Sequence, residues 1–238
     1  MRRPGPFDQT NGPASSPGGH LPEPLPVDPF PTVKHWYERA HAEQVQPNPN
    51  AMTLATIDPD GRPAARIVLC KGLDTQQGFV EFFTNYEGRK GRALAANPHA
   101  ALVFHWDVLD LQVRIEGPVV RSPETRSDEY FASRPVESRI GAWASNQSQP
   151  IGSRQEMLDQ VASTMKRFGI RAGGVEPTIQ IPRPPNWGGF RVYADRVELW
   201  IAGTGRVHDR GAWTRQVVPS RSGNGFQTGP WSGVRLQP

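Results

Sequence analysis

The stretch MTLATIDPDGRPAARIVLCKG, residues 52–72, decides the fold. MTLATID is short, apolar and rich in β-branched residues, which reads as a strand. DPDG (58–61) is a strong turn signal, and RPAARIVLCKG then reads as a second strand. Working outward, GFVEFFTN (78–85) supplies a third strand, and EGRKGRALAANP has alanine and leucine at helical spacing until Pro98 stops it. AALVFHW (100–106) and LQVRIEGPVV (111–120) are further strands. Upstream, Pro31–Gln44 reads as a helix because Val33, Trp36, Tyr37 and Ala40 recur at spacings of three or four.

Downstream, SPETRSDEYFASRP reads as a helix with Ser122 as N-cap, Pro123 at the first helical position and Pro135 past its end. A longer amphipathic helix is expected over Ser153–Phe168, burying Met157, Leu158, Val161, Met165 and Phe168 on one stripe. The proline-rich connector IPRPPNWGG leads into FRVY, RVELWI, GRVHDRGAWTR and, after the loop SRSGNGFQTG, WSGVRLQP, all read as β. Many short strands with a few helices between them predict a mainly β, α+β architecture: an antiparallel barrel with appended helices. No internal repeat is present.

The 238 residues are 36% hydrophobic, enough to bury a sizeable core in one large or two small domains. Residues 1–27, rich in Pro, Gly and Ser, are expected to be a disordered tail, leaving 28–238 as the folded domain. A lone cysteine, Cys70, excludes an internal disulfide framework and a cysteine-based metal site. No apolar run is long enough to cross a bilayer, and MRRPGPFDQTNG has no apolar segment of the signal-peptide kind, so a cytoplasmic location is expected. The net charge of +4 suits a phosphate-bearing partner, but no block of like charge favours a polyanion over a small anionic ligand.

Several groups of side chains carry possible chemistry. Arg66 and Lys71 are five apart, so a regular strand would point them to opposite faces. Arg89 and Lys90 open a helix, where free amides and the positive dipole end favour phosphate; a solvated basic helix start is an equal reading. Gln112, Arg114 and Glu116 share a strand face, which more often faces solvent. Tyr130 and Arg134 are one helical turn apart with Ser138 just beyond, so a phenol, a guanidinium and a hydroxyl could converge on one phosphate; a surface Tyr–Arg stack is the commoner result of that spacing. Gln147-Ser148 lies in a polar run that reads as loop. In GRVHDR (205–210), an extended backbone would line Arg206, His208 and Arg210 along one face, with Val207 and Asp209 on the other. The histidines show no metal-ligand spacing, and no nucleophile elbow, P-loop or dinucleotide fingerprint occurs.

Taken in order, NAMTLATIDPDGRPAARIVLCKG, FFTNYEGRKGRALAANPHAALVFHW, QVRIEG, YFASRP, SRIGAWASNQS, PRPPNWGGFRV, VELW, RVHDR and the closing W…RLQP resemble the pyridoxamine/pyridoxine 5′-phosphate oxidase family over roughly residues 28–238. The resemblance implies an antiparallel Greek-key split barrel of the FMN-binding type, and a homodimer with FMN at the subunit interface. It also implies oxidation of pyridoxamine or pyridoxine 5′-phosphate to pyridoxal 5′-phosphate, dioxygen being reduced to hydrogen peroxide, with no nucleic acid or membrane partner. Carried over by position, the flavin contacts are Arg66, Ile67, Val68, Leu69, Cys70, Lys71, Phe83, Thr84, Arg89, Lys90, Gln112, Gln147 and Ser148, with Trp200 and Arg210 from the partner chain. The substrate contacts are Lys71, Tyr130, Arg134 and Ser138 for the 5′-phosphate, and Arg206 and His208, the catalytic pair, over the pyridine ring.

The chain departs from the family pattern at Leu111, where arginine is usual, at Ile201, where glutamine is common, and at Gly88, where serine often helps bind the flavin phosphate. Cys70 replaces an aliphatic residue, and residues 8–27 lack the Arg-Arg-x-Tyr segment with which family members often close over substrate. Two other readings follow: a flavin oxidase acting on a larger aromatic such as a phenazine precursor, and a split-barrel protein that holds flavin or vitamer without turnover. A basic nucleic-acid-binding barrel would need aromatics interleaved with Lys and Arg on an exposed face, whereas the tryptophans here occupy family-core positions.

Overall fold

The computed structural model describes residues 19–170, 180–221 and 225–238. Helix α1 (Phe30–Ala42) precedes the decisive pair β1 (Ala51–Ile57) and β2 (Pro63–Leu69), which form an antiparallel hairpin with Leu54 opposite Arg66. β3 (Gly72–Asp74) and β4 (Phe79–Asn85) follow, then α2 (Arg89–Ala96), β5 (His99–Trp106) and β6 (Leu111–Arg121). Three helices, α3 (Glu124–Ala132), α4 (Val136–Ala144) and α5 (Arg154–Arg167), separate these from β7 (Trp187–Tyr193), β8 (Arg196–Ile201) and β9 (Asp209–Thr214). β10 (Val217–Pro219), β11 (Phe226–Thr228) and β12 (Ser232–Leu236) close the chain. No described helix is long and apolar enough to cross a membrane.

Ten strands form one antiparallel sheet in the order β12-β9-β8-β6-β5-β1-β2, with β7, β4 and β3 branching from the far half of β6. β6 therefore belongs to both lobes: residues 111–116 pair with β8, and Val119–Arg121 pair with β7. The sheet curls into a split barrel around a core. Directly opposed residues in an antiparallel ladder point to the same face, so Leu54, Leu102, Ile115, Val197 and Trp213 form one continuous inward row, each at most 1% accessible. The adjacent row Ile67, Thr53, Val103, Arg114, Glu198, Ala212, Val234 faces outward, and there Ile67 is 64% and Val234 56% exposed.

Five local expectations change. The Pro-rich segment from Gly19 to Val27 is not a free tail: Leu21 is buried, its amide donates to Asp209 Oδ2 at 2.7 Å, and Pro26 O accepts from Trp213 Nε1 at 2.8 Å. The end strands supply the hydrogen-bond partners that such a sequence cannot supply itself. Residues 1–18 lie outside the described residues. Ser122 does not cap α3: its hydroxyl donates to Glu81 at 2.8 Å, and Pro123 holds the cap position. The run after Pro135, to which the sequence reading gave no element, contains α4. On α5, Val161, Met165 and Phe168 pack against a second small core with Phe131, Ile140 and Trp187, but Leu158 is 47% exposed. The segment read as the loop SRSGNGFQTG includes β11, which pairs with β10.

GRVHDR is not extended throughout. Residues 204–206 form a 3-10 turn in which both Gly205 and Arg206 take φ +66°, and β9 begins only at Asp209. The turn is tight because a Cβ at Gly203 would lie 1.7 Å from Val207 O, so only glycine passes there. Arg206, His208 and Arg210 consequently do not form one strand row.

Candidate active site

Two clusters emerge, on different faces of the barrel. The first lies where β2, β4, α2, α3 and α4 meet. Asn85, buried in the turn after β4, accepts from the amides of Glu87 and Gly88 through Oδ1, which aims the chain into α2. Lys90, in the first turn of that helix, donates to Thr84 Oγ1 at 3.0 Å and Gln147 Oε1 at 2.7 Å. Both partners are neutral. Burial, reinforced by the nearby Arg66, pulls the Lys90 ammonium below its ordinary range. Arg66 itself donates to Leu54 O at 3.2 Å and Thr56 Oγ1 at 2.7 Å, again neutral acceptors. Burial likewise lowers its pKa. Arg89 is not part of this pair: it turns outward to Asp58, 2.6 Å away, so the two adjacent cations expected at the helix start divide.

Beside Lys90, a cavity of about 310 Å³ is lined by Asn85, Arg134, Ser138, Gln147 and Trp187. Arg134 sits over the Trp187 ring at 4.7 Å, and its buried Nη1 has no hydrogen-bond partner among the described residues. Desolvation lowers its pKa, and no carboxylate offsets it. Tyr130 stacks on Phe83 with centroids 4.2 Å apart, and Lys71 Nζ stands 5.8 Å from the Tyr130 ring. β2 ends at Leu69, and the break lets Lys71 turn toward α3; its amide donates to Glu81 O at 2.8 Å. Along 66–71 the side chains divide as alternation requires: Arg66 and Val68 point inward, Ile67 and Leu69 outward. Cys70 is buried with Sγ 3.4 Å from Gly72 O, and burial pushes its thiol to about 11. Ser148, at φ +66°, is exposed beside Gln147.

The second cluster is on the outward sheet face. Gln112, Trp200 and Arg210 are directly opposed across β6, β8 and β9. Arg210 forks onto Glu198 at 2.8 and 3.1 Å, and Glu198 also pairs with Arg114 at 3.1 Å. His208 folds back on Trp200, ring centroids 4.6 Å apart, and its Nδ1 accepts from Gly203 N at 3.2 Å. That bond leaves the proton of a neutral ring on Nε2. Arg206 is exposed on the turn in the left-handed region, a conformation that costs a non-glycine residue about 1–2 kcal/mol. The sequence reading grouped Gln112 with Lys90 and Gln147 and set Trp200 and Arg210 apart on the partner chain; the register instead groups Gln112 with Trp200 and Arg210. It missed Asn85 and Trp187, for which the signals were the turn TNYEG and the aromatic of PNWGG.

The departures at Leu111 and Ile201 point into the core, 0% and 1% accessible, and face neither cluster. Gly88 does face the first: a Cβ there would lie 2.6 Å from Gln147 Oε1.

A split antiparallel barrel with an anion-directed pocket under its helices is the architecture of the split-barrel oxidoreductases. The chain belongs to the pyridoxamine 5′-phosphate oxidase family: residues 38–167 match that family's profile, and residues 187–238 match the pyridoxine 5′-phosphate oxidase C-terminal dimerisation region. It is 49% identical over 211 residues to a pyridoxine/pyridoxamine 5′-phosphate oxidase of Burkholderia lata, covering 89% of each chain. It is 52% identical over 188 residues to one of Paraburkholderia xenovorans, covering 79% of this chain and 83% of that one. Among solved structures it resembles PhzG from Burkholderia lata in complex with tetrahydrophenazine-1-carboxylic acid, with TM-score 0.74, 28% identity, and 90% and 94% of the two chains covered.

Proposed function

We propose that the chain acts as a homodimer that binds FMN and oxidises pyridoxamine or pyridoxine 5′-phosphate to pyridoxal 5′-phosphate at the expense of dioxygen, in the cytoplasm. One observation carries the reading: a buried guanidinium nitrogen of Arg134 has no partner among the described residues, in a cavity shared with Ser138. A native protein rarely leaves such a group unmade unless a ligand completes it, and a phosphate monoester offers the acceptor oxygens.

The residues fit FMN. Lys90 and Arg66, held by neutral acceptors next to the free amides of α2, would take its phosphate, with Arg89, Thr84, Gln147 and Ser148 bordering it. The segment 67–71 and Phe83 would line the ring. Gln112, Trp200 and Arg210 would come from the second protomer, because within one chain they lie on the outward face, which carries the exposed Ile67 and Val234. When bound, FMN supplies the two-electron acceptor that no side chain can provide. Lys71, Tyr130, Arg134 and Ser138 would fix the substrate phosphate and thereby the reacting carbon. His208, presenting Nε2–H, and Arg206 would orient the pyridine ring from the other side. Pyridoxine phosphate would yield the aldehyde and hydrogen peroxide; pyridoxamine phosphate would in addition consume water and release ammonia.

The resemblance to PhzG favours one alternative, an oxidase for a reduced fused-ring carboxylate. Purified protein reconstituted with FMN and given pyridoxamine 5′-phosphate under air separates them. Equal yields of pyridoxal phosphate and peroxide support the vitamer reading. Bound flavin without turnover, together with peroxide from a tetrahydrophenazine carboxylate, overturns it.

A further inference from the structure

We infer that Glu81 is a positioning residue that sets the substrate-phosphate site, resting on the vitamer reading above. Glu81 is the one charged residue in β4 and is 2% accessible. Its carboxylate gathers three donors from different parts of the chain. Oε1 accepts from Ser122 Oγ at 2.8 Å and Arg191 Nε at 3.1 Å, and Oε2 accepts from Arg126 Nε at 3.0 Å. Arg191 is on β7, Ser122 is the residue joining β6 to α3, and Arg126 is on α3 itself. One carboxylate thus pins the helix that carries Tyr130 and leads to Arg134.

The contacts close into a ring. The Glu81 carbonyl accepts from the Lys71 amide at 2.8 Å. Lys71 Nζ stands 5.8 Å from the Tyr130 ring, Tyr130 stacks on Phe83 at 4.2 Å, and the Arg126 guanidinium lies 5.6 Å from the Phe83 ring. Arg126 then returns to the Glu81 carboxylate. Space is left for this arrangement by two small residues. Gly72 is paired with Glu81, and a Cβ there would come within 3.3 Å of Oε2; one at Gly189 would sit 2.4 Å from Ser122 Oγ and 2.8 Å from Phe83 Cε1. Without the carboxylate, Arg126 and Arg191 lose their common counter-charge and repel each other. The shift reaches Lys71, Tyr130 and Arg134 together, but not Lys90 or Arg66, whose hydrogen bonds run through Thr84, Gln147, Leu54 and Thr56.

The test uses FMN-loaded protein and pyridoxine 5′-phosphate. Glu81→Gln keeps the shape but not the charge. It should raise KM about tenfold, equivalent to about 1.4 kcal/mol, while kcat stays within about twofold and FMN affinity, held mainly through its phosphate, falls by less than about threefold. Arg126→Met keeps an apolar stem near Phe83 and leaves Glu81 its other two donors; it should raise KM about threefold, and it serves if Glu81→Gln does not fold. An unchanged KM with a lowered Tm would make Glu81 merely structural and overturn the inference. An FMN affinity lowered as much as that for substrate would do the same. If the wild-type holoprotein shows no vitamer turnover, the functional reading fails separately. Inorganic phosphate binding to the holoprotein then tests Glu81 alone: a weakening of about tenfold in Glu81→Gln supports the inference, and none overturns it.

Discussion

The pocket under the helices and the cluster on the outward sheet face both hold arginines, but in opposite electrostatic states. On the sheet face, Arg210 and Arg114 share the carboxylate of Glu198, and Arg114 also reaches Glu116 at 2.6 Å. In the pocket, Lys90 and Arg66 donate to neutral acceptors, and Arg134 has a buried nitrogen with no acceptor among the described residues. Half-buried cations whose hydrogen bonds go to neutral acceptors are costly, and an arriving anion would offset that cost. Neutralised cations can be buried against another protein surface at a smaller penalty. Under the proposed function, the pocket takes ligand phosphate and the face takes part in assembly.

The largest effect is expected where the outward face is broken. Val234→Asp places a charge among exposed apolar groups that would be covered in a dimer. Counting both copies, it should cost about 3–6 kcal/mol of association, more than a hundredfold. Sedimentation at graded concentration reads it directly; an unchanged dimer would show that this face is not the interface.

Next, Lys90→Ala removes a charge-assisted contact worth about 2–3 kcal/mol, so FMN should bind about 30- to 150-fold more weakly by fluorescence titration. The dimer should be unaffected. If association weakens instead, the division of labour between the two regions is wrong.

His208→Ala comes third. It should lower kcat about tenfold, the worth of one hydrogen bond to the reacting molecule, with flavin still bound. Loss of flavin from that variant would move His208 into the cofactor half of the site.

The smallest effect concerns Cys70. Its folded pKa of about 11 is raised above the ordinary value of 9.0 by burial, with the Gly72 carbonyl, Tyr37 and Lys71 acting in the opposite direction. The stability it contributes is therefore whole below pH 9.0 and is lost as pH rises through about 11. At pH 8 the native thiol should resist alkylation, and mass spectrometry should show labelling only after unfolding. Rapid native labelling would mean that the β2–β3 break opens.

Legibility followed the range of the interactions. β1, β4, β5 and β6 were readable because alternation and turn residues are local signals. So was the start of α5 near Ser153, which proves to be its cap, the hydroxyl accepting from Glu156 N at 3.0 Å. α4 was not, because VESRIGAWA begins directly after one helix and a proline, and only packing of Ile140 against Phe131 and Trp187 stabilises it. In the site, Lys90, Thr84 and Gln147 were all named from the family resemblance, and they do meet. The separation of Arg89 from Lys90 was hidden, since Asp58 lies in the turn after β1 and reaches Arg89 only through tertiary contact. GRVHDR misled because strict alternation assumes an extended backbone, and Gly203 and Gly205 fold it into a turn.

By itself the sequence determined the strand content, the order of elements and the family, because these depend on periodicities and residue types written along the chain. Tertiary structure decided which charges are answered. Glu198 neutralises the outward cluster from a neighbouring strand, while no carboxylate among the described residues reaches Arg134. Glu81, a lone acid in an apolar strand, becomes a buried hub only when β7 and α3 bring their arginines to it. Coulomb energy and desolvation depend on distance and burial in space, and neither is recorded in residue order.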